Sequence, residues 1–315
     1  MKTQKLHNKD LDSEFKGKKV ILSCRSSFEE RCFFALNAFK KVKPEKLTIF
    51  QSNNPSKESI EVIDSCLNSY KDIASYETIS KDNPIDIYTA IFKCMSELFE
   101  HNSDASHLID ISSFKREELL ILLSVLNQIN NRSIDCRLLY TEAKDMSQNW
   151  LSRNTINIRT VLGFSGEPYQ SKKTCLIVMV GHEFERAKDI IDEYEPSRLL
   201  IGHASKNEAI NEKLYDRNKA FFKEIRSYYG SGCEEFEFSA LCPDKVMNKL
   251  TELCSDHSYN YVIAPLNNKL SCIGVGNFAI KNKNVQICYG QMSDYNRTEY
   301  SSPGEYIHIM SNILD

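Results

Sequence analysis

Apolar positions along the chain fall into short β-branched and aliphatic runs that alternate with longer stretches of helical periodicity. The first run, "KKVILSCRSS", ends in small polar residues. It is followed by "FEERCFFALNAFKKV", in which Phe28, Cys32, Phe33, Leu36 and Phe39 recur at helical spacing. That spacing predicts a strand, a turn and a helix. Pro44 then introduces "EKLTIFQS", a second short strand. Far down the chain "TCLIVMVGH" predicts a strand, "EFERAKDIIDEY" a helix, and Pro196 introduces the strand "SRLLIGHAS". The elements repeat in the same order.

The repeat also keeps its register. Glu30 and Arg31 recur as Glu185 and Arg186, 155 residues on, and Pro44 as Pro196, 152 on. "HLIDISSFKREELL" matches "YVIAPLNNKLSCIG", with Lys115 opposite Lys269 at 154, and "DCRLLYTEA" matches "NVQICYGQM", with Tyr140 opposite Tyr289 at 149. Offsets that drift by a few residues over four blocks in unchanged order point to internal duplication. Two copies make a fused pair, not a solenoid. Between the blocks lie helical patterns, "DNPIDIYTAIFKCMSELFEHN" and "PDKVMNKLTELCSDH", the latter with Val246, Leu250 and Leu253 on one stripe.

Strands alternating with helices predict right-handed crossovers and mostly parallel sheets. The expected fold is α/β, two tandem Rossmann-like units related by duplication, 1–162 and 163–315. The boundary falls at "GFSGEPYQSKK", where Gly, Ser and Pro interrupt periodicity. A C-terminal "YNRTEYSSPGEYIHIMSNIL" closes the chain with turn residues and a short apolar element.

Charge narrows the partners. With 40 basic and 43 acidic residues among 315, a formal net charge of -3, the chain lacks the broad basic face that holds a protein to duplex nucleic acid. An anionic ligand must be met locally. No apolar stretch approaches the roughly 18 residues that span a bilayer, and the first residues lack an apolar signal segment, so the chain reads as soluble and cytoplasmic, with no membrane partner. The 11 cysteines are odd in number and scattered singly, several within apolar runs (Cys94, Cys136, Cys175, Cys288), which predicts reduced, mostly buried thiols. With no C-x-x-C and no H-x-x-x-H pair, nothing calls for a metal, and no motif calls for a cofactor.

Open parallel sheets bind ligands beyond the carboxyl ends of their strands. That rule selects Arg25, Ser26 and Ser27 after the first strand, and Gly181 and His182 after its counterpart. The later central strand of each half supplies Ser112, Ser113, Lys115 and Arg116, and Asn267, Asn268 and Lys269. Small residues let a backbone approach a ligand, helix-start N–H groups favour anions, and a cation there suits phosphate. The serines equally fit ordinary capping. Lys115 and Lys269 in a first helical turn oppose the macrodipole, a conflict that a bound anion would resolve. Arg31 and Arg186 either face a ligand, oriented by Glu30 and Glu185, or form buried ion pairs joining the halves. His182 is a general acid/base candidate or a polar strand-end residue.

The chain contains no G-x-G-x-x-G after a strand, no G-x-x-x-x-G-K-[ST], no G-x-S-x-G and no H-x-E with P-C-x-x-C. Dinucleotide oxidoreductases, P-loop NTPases, α/β-hydrolases and zinc deaminases lose ground. "GVGNFAIKN" lies within a helix, where its glycines serve close packing, and Asp110 and Glu142 sit in separate segments without a nuclease motif.

The paired pattern resembles the CRISPR-associated Rossmann-fold (CARF) superfamily, and the fused pair resembles its SAVED relatives. In such domains a first strand ends in a ligand-binding turn, and a later strand runs into a segment like T-G-G-T-K-x-M. "DISSFKREELL" and "APLNNKLSCIG" occupy that second position with Lys115 and Lys269 at the motif's lysine, although neither keeps the double glycine. The resemblance implies a nucleotide or cyclic-oligonucleotide ligand held across a cleft between the halves, in prokaryotic antiviral defence. It also implies an effector or defence-complex protein as partner. Three roles follow: a sensor that signals by a population shift between orientations of its halves, a metal-independent phosphodiesterase resembling ring nucleases, with Lys115, Lys269 and His182 as catalytic candidates, and a structural subunit of a defence complex. Absence of a catalytic motif favours the sensor.

Overall fold

A computed structural model describes residues 1–129 and 133–313, so Leu314, near the end of the expected C-terminal element, lies outside the described residues. The predicted alternation is present in both halves. In chain order the first half forms β1 (Lys2–His7), α1 (Leu11–Glu14), β2 (Val20–Arg25), α2 (Phe34–Ala38), β3 (Lys46–Ser52), α3 (Lys57–Leu67), β4 (Ala74–Ile79), α4 (Pro84–His101), β5 (Ser106–Asp110), α5 (Arg116–Ile129) and β6 (Asp135–Met146). Then come β7 (Ser152–Thr160), β8 (Lys173–Met179), α6 (Phe184–Tyr194), β9 (Arg198–Ala204), α7 (Glu212–Tyr229), β10 (Cys233–Phe238), α8 (Pro243–Leu253), β11 (Tyr259–Pro265), α9 (Lys269–Lys281), β12 (Val285–Tyr295) and β13 (Ser301–Ser311).

The strands build a seven-stranded sheet, β1-β13-β6-β5-β2-β3-β4, and a six-stranded sheet, β10-β9-β8-β11-β12-β7. Within the first, β6, β5, β2, β3 and β4 run parallel, and within the second β10, β9, β8, β11 and β12 do. Reading β2 as β8, β3 as β9, β4 as β10, β5 as β11 and β6 as β12 gives one topology twice. The duplication extends to strand order.

The dividing line differs from the expected one. One unit comprises the chain through Asp145 together with the segment from Ser301 onward, and the other comprises Met146–Tyr300. β7, expected in the front half, pairs antiparallel with β12, setting Tyr295 opposite Ser152 and Cys288 opposite Thr160. β13, expected in the back half, lies beside β6 and pairs antiparallel with β1. After its last parallel strand each half thus sends one strand into the other half's sheet. The local pattern of β7 or β13 says that it is a strand and nothing about which edge receives it.

Each unit has its own core. Leu22, Leu36, Leu47, Leu108, Leu139 and Ile307 are buried together in the first, and Leu176, Val178, Ile190, Ile201, Phe222 and Cys288 in the second. Full burial of such a side chain contributes about 1.5–3 kcal/mol. Helix starts follow their polar caps: Ser56 accepts the Ser59 N–H, Asn83 that of Ile85 ahead of Pro84, and Asn211 that of Leu214. The helix expected over Phe28–Val42 is shorter than its pattern, a 3-10 turn at Glu30–Phe33 followed by α2. Asp12 explains its end, since its carboxylate accepts the N–H groups of Lys40, Lys41 and Val42 at 2.9 to 3.2 Å. All 11 cysteines are free, and burial pushes those of Cys94, Cys136, Cys175 and Cys288 up to about 12, which leaves them unreactive. Among the described residues no helix is long and apolar enough to cross a membrane.

The glycines of "GVGNFAIKN" lie in α9, which packs on α8, and a Cβ on Gly274 would come 2.6 Å from the Pro243 carbonyl oxygen. Gly274→Ala is expected to destabilise the protein by about 1–3 kcal/mol, the range for overpacking a filled core, measured as a lower midpoint in urea.

Candidate functional site

Ligand sites of open parallel sheets lie where the strand order reverses, here between β2 and β5 in the first unit and between β8 and β11 in the second. The parallel registers set Cys24 beside Asp110 and Met179 beside Pro265, so the residues after these strands emerge together.

In the first unit these strand ends are polar and closed by their own bonds. Arg25 turns its guanidinium onto Glu118 of α5, with Nε 3.3 Å from Oε2 and Nη2 3.2 Å from Oε1, and donates to the Ser26 carbonyl. Glu118 in turn accepts the Lys115 N–H at 2.9 Å, a third helical residue reaching back to its cap. Burial works against the Glu118 charge, yet Arg25, Lys115 and that N–H hold its carboxyl below the usual range. Ser26 donates to the Phe50 carbonyl, Ser113 to the Arg25 carbonyl, and the Ser27 hydroxyl accepts the Glu29 N–H. Ser112 donates to Asp110 Oδ1 through its hydroxyl at 2.5 Å and its N–H at 3.0 Å, and its Oγ accepts the Thr141 N–H at 2.8 Å. Asp110 Oδ2 meets no hydrogen-bond partner among the described residues. Burial pushes the Asp110 carboxyl up to about 7, an effect that the Ser112 bonds and the Arg31 charge only partly offset.

The matching place in the second unit is packed by backbone. A Cβ on Gly181 would lie 1.9 Å from the Leu266 carbonyl oxygen, so this glycine lets two strand ends touch. Asn267 donates to the Val180 carbonyl at 2.7 Å, and Asn268 caps α9 by accepting the Ser271 N–H while donating to the Ala240 carbonyl. Of the expected site residues, Ser27, Lys115, Arg116, His182, Asn268 and Lys269 are half-buried, whereas Arg25, Ser26, Arg31, Ser112, Ser113, Gly181, Arg186 and Asn267 are buried.

The repeated arginines form one constellation twice, but with other partners than expected. Arg31 pairs with Glu29 at 2.7 Å, donates through Nε to Ser301 Oγ at 3.0 Å and through Nη1 to the Thr141 carbonyl at 3.3 Å, and lies 5.9 Å from the Tyr140 ring centroid. Arg186 pairs with Glu183 at 3.0 Å, donates to Ser152 Oγ at 3.0 Å, and lies 5.9 Å from the Tyr289 centroid. Ser152 also donates to Glu183, and Ser301 to Glu29 at 3.3 Å. Glu30 is exposed and Glu185 accepts the Asn154 N–H, so neither orients its neighbouring arginine. Each ion pair lies within one unit. Ser301 and Ser152 are the first residues of β13 and β7, so each arginine grips the strand that arrives from the other half of the chain. A signal was present in the sequence: Ser152 and Ser301 share the 149-residue offset of Tyr140 and Tyr289, and Glu29 and Glu183 that of the paired lysines.

Other polar features carried no motif. Glu142 is buried against Lys5 and His308, each at 2.6 Å, across β6, β13 and β1. In the second unit a hollow of about 350 Å³ opens beyond β9 and β10, lined by Ser205, Glu208, Ser239, Lys245 and Asn248 among others. Short polar endings of β9 and β10, "HAS" and "FSA", were its only trace.

Comparison with protein-family models gives no match, and comparison with curated proteins gives none. Among solved structures the chain is similar to a UDP-GlcNAc 2-epimerase from Neisseria meningitidis bound to UDP-GlcNAc, at 10% identity over 78% of this chain and 76% of that one, with a TM-score of 0.25. That likeness is too slight to bear on chemistry.

Two outcomes are expected. Arg186→Met strands a buried Glu183 carboxylate and should destabilise by about 3–5 kcal/mol in urea unfolding, with much of the loss recovered when Glu183→Leu is added. Asp110 has a folded value near 7 against 3.8 unfolded, so the folded protein holds more protons between about pH 4 and 7. Its contribution is present below that window and is lost as pH rises through 7. Thermal scans of Asp110→Asn should therefore show a gain in stability over the parent at pH 8 that shrinks at pH 5.

Proposed function

We propose that the chain is a cytoplasmic sensor that binds a phosphorylated ligand, a nucleotide or cyclic oligonucleotide, and passes its occupancy to a protein partner in prokaryotic antiviral defence. The observation that carries the reading is the paired lysine. Lys115 caps α5 and Lys269 opens α9, both half-buried and both at the helix that follows the central strand of a sheet. The macrodipole opposes a cation at the start of a helix, and an anion bound at the helix-start N–H groups would add to the offset that Glu118 already gives Lys115.

Signalling is favoured over a passive scaffold by a chain of bonds in the first unit. The turn that presents Lys115 is joined through Ser112 to Thr141, Thr141 to Arg31, and Arg31 to Ser301 at the head of β13. A ligand that moves the turn has a continuous polar path to the grip on that strand, the route along which the proposed population shift acts. Binding is favoured over catalysis because the chain carries no catalytic motif, and the strand-end serines and asparagines direct their hydrogen bonds at Asp110 and backbone, as Arg25 does at Glu118.

Thermal-shift and calorimetric titration with nucleotides and cyclic oligonucleotides tests the proposal. At least one should bind without turnover, and Lys115→Ala with Lys269→Ala should weaken it about tenfold or more without lowering the unliganded melting temperature. Equal affinity in the double variant overturns the assignment, and product formation replaces it with the phosphodiesterase.

A further inference from the structure

A second basic feature lies away from the strand ends, where α7 and the edge strand β10 enclose an open groove of about 560 Å³ in the second unit. Lys219, Lys223 and Arg226 line it from α7 at spacings of four and three, which stacks them on one face over about 10 Å of helix. Phe222 lies buried at its base, and Ser227, Gly230 and Ser231 close one end.

The three cations are held differently. Lys219 lies 4.7 Å from the Phe222 ring centroid with Nζ 2.5 Å from His203 Nε2. His203 Nδ1 faces the Ala204 carbonyl at 2.8 Å and so bears the proton, which makes Nε2 the acceptor and orders the Lys219 ammonium. Arg226 is ion-paired with Glu235 on β10, and Lys223 is exposed. The macrodipole favours a cation in the last turn of α7, as Arg226 is, and its effect fades before Lys223 and Lys219. Gly230 stands at φ 63° with open space where a Cβ would be, and the same space lies over Gly232, so the Gly230-Ser231-Gly232 turn can be approached closely from outside. The lining sums to three cations against the single carboxylate of Glu235, in a chain whose net charge is -3.

We propose that this groove is an anion site for a ligand carrying several phosphates in a row. Lysine ammonium groups meet phosphate as point charges from any direction, the serine hydroxyls and turn amides add neutral donors at one end, and the elongated row suits consecutive phosphates better than one. Such a row is found in a nucleoside triphosphate and in the backbone of single-stranded nucleic acid. The site does not depend on the strand-end lysines.

The full chain should be titrated calorimetrically with sodium tripolyphosphate, ATP and a short oligothymidylate at low and moderate salt. At least one should bind with an affinity that falls as salt rises. Lys223→Glu should weaken it tenfold or more with an unchanged melting temperature, while the same change at the exposed Lys57 of α3, in the first unit, leaves it intact. Matching affinities for ATP and tripolyphosphate identify a free oligophosphate as the source, and tighter oligothymidylate binding identifies a nucleic-acid backbone. Absence of binding by all three probes overturns the proposal, as does binding indifferent to Lys223→Glu. Loss of binding only in the Lys115 and Lys269 variant assigns the phosphates to the strand ends and overturns the groove site, leaving the sensor reading intact.

Discussion

The exchange of strands between the two sheets is anchored by two buried Glu–Arg pairs, each holding the first residue of a borrowed strand. A buried charge is tolerated only when its partner and its remaining hydrogen bonds are all supplied. Glu29 with Arg31 approaches that condition through Ser301, and Glu183 with Arg186 through Ser152, although Arg186 Nε has no hydrogen-bond partner among the described residues. The arrangement is demanding, and that makes it selective. A strand that failed to bring its serine to the arginine would leave a desolvated donor behind. The exchanged strands also cover the outer edges of β6 and β12, which would otherwise be open to pairing with foreign chains.

Duplication has left the two units alike in topology and unlike in chemistry. At the reversal of strand order the first unit keeps Asp110, the Arg25–Glu118 pair and a turn of serines, while the second has Ala264, Pro265 and the close contact of Gly181 with Leu266. The acidic hydrogen-bond path belongs to one side only. Of the shared features, the arginine grip maintains the fold, and the lysine at the helix start remains half-accessible in both. Divergence has touched what a ligand would meet and spared what holds the strands.

Much of this was legible in the residues. The 2.0 and 3.6 periodicities placed β2, β3, β5, β8, β9 and β11 and the helices α4, α6 and α8, and the drifting offsets exposed the repeat, whereas β4, β10, α3 and α7 stood outside that reading. The borrowed strands were not legible, because β7 and β13 satisfy the same alternation wherever they dock. The grip was half legible: Glu30-Arg31 and Glu185-Arg186 stood out as a repeated pair, but the acting carboxylates come from Glu29 and Glu183, set by backbone conformation at the helix entry. α2 fell short of its pattern because Asp12, distant in sequence, claims the N–H groups that would have extended it. The candidate residues after the strands do lie at strand ends, yet most are buried, since position along a strand does not reveal whether a neighbour such as Glu118 has already taken the guanidinium.

The pairing of β1 with β13 joins residues far apart along the chain, Lys2 with Ser311. At a synthesis rate of roughly 5–20 residues per second, tens of seconds separate their emergence from the ribosome. During that interval the amino-terminal sheet exists without two of its strands, and Arg31 and Glu29 wait without Ser301. The carboxy-terminal sheet, whose β7 is made before the strand that receives it, has no such delay. The later-made unit is therefore the first able to finish, and the earlier one matures only once β13 has emerged.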